Sequence, residues 1–127
     1  MKKTIMLCTL CTAALTTWLA GSARAAELAA EVRFATEVED RQPVSPGASF
    51  APGKLYCWNL LKGGEGEYAI RHVWYKDGKQ VWRRSVRARG ATWVTWSYFN
   101  VTPGSWKVEL QGSDGKVIQT GEFTVKQ

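Results

Sequence analysis

From residue 31 onward, apolar and polar positions alternate in short runs separated by turn residues. Val32, Phe34, Thr36 and Val38 alternate with Glu31, Arg33, Glu37 and Glu39, the period of a half-buried strand. Residues 40–53 hold Pro43, Pro46 and Pro52 with two glycines, which predicts a long surface connection and not a strand interior. Residues 55–61 form a short run that is apolar on both faces, a second strand. Residues 62–67 hold three glycines and two glutamates and read as a mobile loop. Residues 68–76 and 79–88 give a third and a fourth strand. Asp77-Gly78 between them is a strong hairpin signal, because a two-residue turn matched to strand twist needs positive φ. Residues 92–99 give a fifth strand. Trp106, Val108 and Leu110 alternate with Lys107, Glu109 and Gln111 in a sixth, after Pro103-Gly104. Asp114-Gly115 turns into a seventh over 116–125. Seven short strands in about 100 residues predict a single all-β domain, an immunoglobulin-like β-sandwich. The Cys…Trp…Cys spacing of antibody-type domains is missing.

The first 25 residues have a different pattern. Lys2 and Lys3 precede a stretch to Ala20 that is apolar or small and carries no charge. Ala23-Arg24-Ala25 supplies the small-x-small motif of a cleavage site. This predicts a signal peptide over 1–25 and a working domain over 26–127, located in the periplasm or outside the cell, with no transmembrane span once the signal is cut. An uncleaved anchor is the alternative, although the stretch is Thr-rich for a span of about 20 apolar residues.

The predicted cut changes the charge and the cysteine count. It leaves 14 basic and 11 acidic residues, a net charge of +3. That is mild, and in an exported chain it argues against nucleic acid as the partner. Cys57 is the one cysteine left, so neither an internal disulfide nor a cysteine-based zinc site can form. No cofactor or metal is expected. Cys57 reads as a small core residue, or less simply as a reactive thiol. Six tryptophans remain to build the core.

His72 is the single histidine, on one strand face with Ile70 and Trp74. It is either a hydrogen-bonded core residue or an acid or base. Ser97 is available as a nucleophile, but Asp77 and Asp114, the aspartates weighed as its partners, sit in predicted turns. The residues therefore argue against an enzyme; a hydrolase using His72 is the less favoured reading. Trp74 and Trp106 alternate with polar positions and read as core. Trp93 and Trp96 are three apart and must face opposite ways on a regular strand, so one of them is expected on the outer surface or at a rim. An exposed tryptophan can stack on a sugar or fill a partner's pocket, and it can also merely cover the sheet.

The run from Trp82 to Arg89 holds four of the 14 basic residues, and without them the predicted domain would carry a charge of −1. On a strand, Arg83, Ser85, Arg87 and Arg89 share a face. Such a row of guanidinium forks suits carboxylate or phosphate ligands, and it equally suits a solvated face or a guarded edge. The expected function is a non-catalytic binding or interaction module. Its candidate contacts are Arg83, Arg87, Arg89 and either Trp93 or Trp96, and its partner a cell-envelope polymer, a lipid head group or a protein. A carbohydrate-binding module using an exposed tryptophan is the alternative.

Several motifs together resemble a bacterial family of unknown function, domain-of-unknown-function family 2914. They are Leu55-Tyr56-Cys57-Trp58, His72-Val73-Trp74, and Trp93-Val94-Thr95-Trp96-Ser97. Gly104-Ser105-Trp106-Lys107-Val108 follows, then Asp114-Gly115 leading to Phe123-Thr124-Val125. The resemblance spans roughly residues 31–125. It implies a small exported or membrane-linked β domain and no known activity. It singles out His72, Trp74, Trp96 and Ser97 as structural or site residues. Val94 and Tyr98 depart from the family pattern, which favours a basic residue and a small or polar residue there.

Overall fold

The computed structural model describes residues 28–127. The predicted signal peptide, 1–25, lies outside them. No helix among the described residues is long and apolar enough to cross a membrane.

The described residues form ten strands: β1 (Ala29–Ala35), β2 (Glu37–Glu39), β3 (Gln42–Val44), β4 (Ser49–Phe50), β5 (Gly53–Lys62), β6 (Glu67–Lys76), β7 (Lys79–Arg89), β8 (Thr92–Val101), β9 (Gly104–Gln111) and β10 (Val117–Val125). Three of them build a sheet in the order β1-β5-β8, and five build a second in the order β4-β10-β9-β6-β7. Both sheets are antiparallel except where β4 runs parallel to β10. The architecture is a β-sandwich, as the alternation predicts. Its long strands divide in the immunoglobulin manner with one change: the fourth long strand, β7, stays with the third. The Asp77-Gly78 turn causes this. Both residues have positive φ, 48° and 86°. A two-residue turn leaves no length of chain with which β7 could cross to the other sheet.

The inner faces meet in one core. Trp74, fully buried, is its centre, ringed by Trp82, Phe99, Trp106 and Phe123 at centroid separations of 5.7–6.5 Å. Trp106 stacks on Phe123 at 5.8 Å, and Trp82 on Phe99 at 5.3 Å. Cys57 is buried in this core, and desolvation pushes its thiol up to about 12.

The seven-strand expectation fails before residue 53. The single strand expected over 31–39 breaks at Thr36, where the chain bends between β1 and β2. The connection expected over 40–53 is not all irregular. Asp40 and Arg41, at φ of 50° and 63°, turn β2 into β3. Pro43 sits in β3, whose one partner is β2, an edge position that a proline tolerates. This hairpin folds over the outer face of the three-stranded sheet. It covers Trp58, whose Nε1 donates to the Arg41 carbonyl at 2.8 Å. The apolar outer face of β5 is thereby explained.

Candidate functional site

β7 and β8 are the last strands of their sheets, so one flank of the sandwich has two open edges side by side. Every residue singled out for function lies on or next to this flank.

Register divides the β7 arginines. Arg84 pairs with His72, on the inner row with Trp82, Val86 and Ala88. Arg83, Ser85, Arg87 and Arg89 pair with Val73, Arg71, Ala69 and Glu67 and form the outer row. The shared face of Arg83, Arg87 and Arg89 follows directly from period 2. Sequence reasoning missed Arg71. It lies opposite Ser85, between Arg83 and Arg87, and only the strand register reveals it. Among the described residues the ion pairs are Arg33–Glu31 and Lys107–Glu109, so none of these five arginines forms one, although Glu67 lies across from Arg89.

Trp93 and Trp96 do face opposite ways. Trp93 pairs with Leu61 and turns inward at the rim, while Trp96 pairs with Trp58 and lies on the outer face, half-buried. The Arg89 guanidinium lies 5.9 Å from the Trp93 ring centroid, and that of Arg41 lies 5.5 Å from it. Arg41 also donates to the Val94 carbonyl at 3.1 Å. Nothing in the sequence marks Arg41, which reaches this place through the hairpin.

Two clefts open on the flank. The first, about 350 Å³, is lined by Tyr68, Arg87, Ala88, Arg89 and Trp93, with Glu67 and Ala69 beside them. Its end is tied down by hydrogen bonds from Gly63 N to Ala91 O and from Gly90 N to Gly66 O. The Tyr68 hydroxyl donates to Gly90 O at 3.2 Å. The Tyr68 ring lies so close over Gly64 that any Cβ there would collide with it. The second cleft, about 280 Å³, is lined by Trp82, Arg84, Trp96, Ser97 and Tyr98. Tyr98 is 53% exposed, the most open of the large aromatic side chains.

Beneath the second cleft lies a buried polar cluster. His72 Nδ1 and Ser97 Oγ share a hydrogen bond of 2.6 Å, and Trp74 Nε1 donates to the same Oγ at 3.3 Å. His72 is fully buried and its Nε2 has no hydrogen-bond partner. Burial, aided by the neighbouring Arg84 charge, lowers its pKa to about 4, so the ring is neutral at pH 7. Asp77 is occupied in its turn, accepting from Ser105 N at 2.9 Å, and Asp114 accepts from Lys116 N at 2.9 Å. Sequence reasoning also missed Asn59. It is fully buried, its amide donates to Cys57 Sγ at 3.6 Å, and its Oδ1 has no partner. Among the described residues no group of three or more His, Cys, Asp or Glu is placed to hold a metal.

The described residues thus define an immunoglobulin-like β-sandwich with an arginine-rich, aromatic open flank. Residues 67–125 match the model of the family described as "Protein of unknown function (DUF2914)", the one the motifs resemble. The matched segment runs from β6 to β10. It includes His72, Trp74, the arginine row, Trp93, Trp96 and Ser97, and leaves out the Leu55–Trp58 motif on β5. No curated protein matches the chain. A crystal structure of the beta-glucosidase from Kluyveromyces marxianus is similar over 80% of this chain, with a TM-score of 0.50 and 11% identity. The chain spans 15% of the length of that structure, and the likeness concerns the fold alone.

Proposed function

We propose that this domain is a non-catalytic binding module, working outside the cytoplasm, that engages an anionic partner through the outer face of β6 and β7. The observation that carries the reading is the set Arg71, Arg83, Arg87 and Arg89, exposed together beside the Trp93 cleft, with Glu67 opposite Arg89 the one carboxylate across from the row on β6 and no ion pair formed among the described residues. Guanidinium forks pair with carboxylate or phosphate in two parallel hydrogen bonds, and a neighbouring indole adds apolar contact. A cell-envelope polymer, a lipid head group and an acidic protein all offer that chemistry.

The polar centre supports the non-catalytic part. His72 and Ser97 touch as a base and nucleophile would, but no carboxylate orients His72 Nε2. A histidine with a pKa near 4, next to an arginine, is a poor proton acceptor. The cluster reads better as a polar pin in the core.

Co-sedimentation of the purified protein with isolated cell-envelope material tests the reading at low and at high salt. Capture should be lost at high salt, and lost at low salt when Arg83, Arg87 and Arg89 are replaced by Ser. Undiminished capture by that variant would overturn the site. A neutral-glycan module is the second reading, favoured by Tyr98 and Trp96 on the outer face of β8. It requires salt-insensitive binding to neutral glycans that is lost in Trp96→Ala or Tyr98→Ala.

A further inference from the structure

We infer that the open edge of β7 accepts an extended acidic peptide as an added strand, with acidic and apolar residues alternating along that peptide. This rests on the proposed anionic partner and names its class.

β7 is eleven residues long, terminal in its sheet, and paired on one side only, by β6. Alternate N–H and C=O groups of an antiparallel edge strand point away from its neighbour, which makes such an edge a template for another strand. Proteins guard edges of this kind, often with charge. The guard here has a single sign: Lys79, Arg83, Arg84, Arg87 and Arg89, with no acidic residue in the strand. A row of one sign repels a second copy of the same edge. It does not repel an acidic strand, and it draws one in.

The two faces of β7 then specify the partner's pattern. A strand added beside β7 places every second side chain against the outer row, where Arg83, Arg87 and Arg89 favour Glu or Asp. The other side chains turn inward, over the open flank. The two clefts wait there, one at Ala88 with Tyr68 and Trp93, the other at Trp82 with Trp96 and Tyr98. Arg84 and Ala88 are four residues apart on the inner row, about 13 Å along a strand. Two inward side chains four apart on the partner match that spacing. Main-chain hydrogen bonds would supply much of the affinity, and the clefts, with the arginine row, the selectivity.

The test uses the full protein and two dye-labelled octapeptides, one alternating Glu and Leu, the other with four Glu followed by four Leu. Anisotropy titration should give a Kd about tenfold or more lower for the alternating peptide. Amide hydrogen exchange in its presence should slow at every second residue of β7 and nowhere in β9. Trp93→Ala and Tyr98→Ala should weaken the alternating peptide alone, with native tryptophan or tyrosine spectra confirming that each variant is folded. Equal binding of both peptides with no slowing in β7 would overturn strand addition and leave simple anion capture standing. Salt-sensitive capture of envelope material with neither peptide bound would overturn it too, in favour of an anionic glycan or lipid. Failure of all three probes would overturn the proposed function as well.

Discussion

The two faces of the β6–β7 ribbon put polar side chains to opposite ends. On the inner face, a histidine and a tryptophan meet Ser97 in a cluster that excludes water and carries no charge at neutral pH. On the outer face, one residue along, Arg71, Arg83, Arg87 and Arg89 keep their charges in solvent with no ion pair among the described residues. Polar residues on the inner face are fixed by what surrounds them. Those on the outer face are left available. Stability should therefore depend on one face and binding on the other, and each substitution can be judged by which of the two it moves.

The largest effect is expected at the centre of the inner face. Trp74→Ala removes the ring that four aromatic neighbours pack against, and should cost about 3–5 kcal/mol in denaturant unfolding. Next comes pH. The folded state holds His72 near pKa 4 against an ordinary 6.5, so the unfolded chain binds the proton more tightly. The stability linked to neutral His72 is complete above pH 6.5 and is lost as pH falls through the window down to 4, by about 3 kcal/mol. His72→Leu should abolish that slope. An unchanged slope would show that the ring is not the group responsible.

Arg41 sharpens the comparison, because it belongs to neither face yet touches the rim. Its positive φ costs about 1–2 kcal/mol, offset by its contacts with Val94 and Trp93. Arg41→Gly frees the backbone and removes both contacts. Its stability should change by less than about 1 kcal/mol, while Trp93 fluorescence shifts as the ring opens to water. The smallest effect on stability, within about 0.5 kcal/mol, is expected for the combined Arg83, Arg87 and Arg89 to Ser variant. That same variant should show the largest loss of envelope capture. If it unfolded instead, the separation of the two faces would be wrong.

The division between what could be read and what could not follows the range of the interactions. Period 2 is local, so the strands from residue 53 onward, the Asp77-Gly78 hairpin and the shared face of Arg83, Arg87 and Arg89 were legible from the residues alone. So was the opposed aim of Trp93 and Trp96. The Trp74 and Trp106 core was legible for the same reason. The sequence motifs also pointed to the family whose model covers 67–125. The break at Thr36 was not legible, because the alternation of apolar and polar residues runs through it without interruption. Sequence alone determined which residues share a strand face. Tertiary structure decided which strands are edges, that Arg71 joins the arginine row, that Arg41 reaches Trp93, and that His72 finds Ser97 across the sandwich. Those facts depend on register and sheet order, set by long-range packing, and no local pattern encodes them.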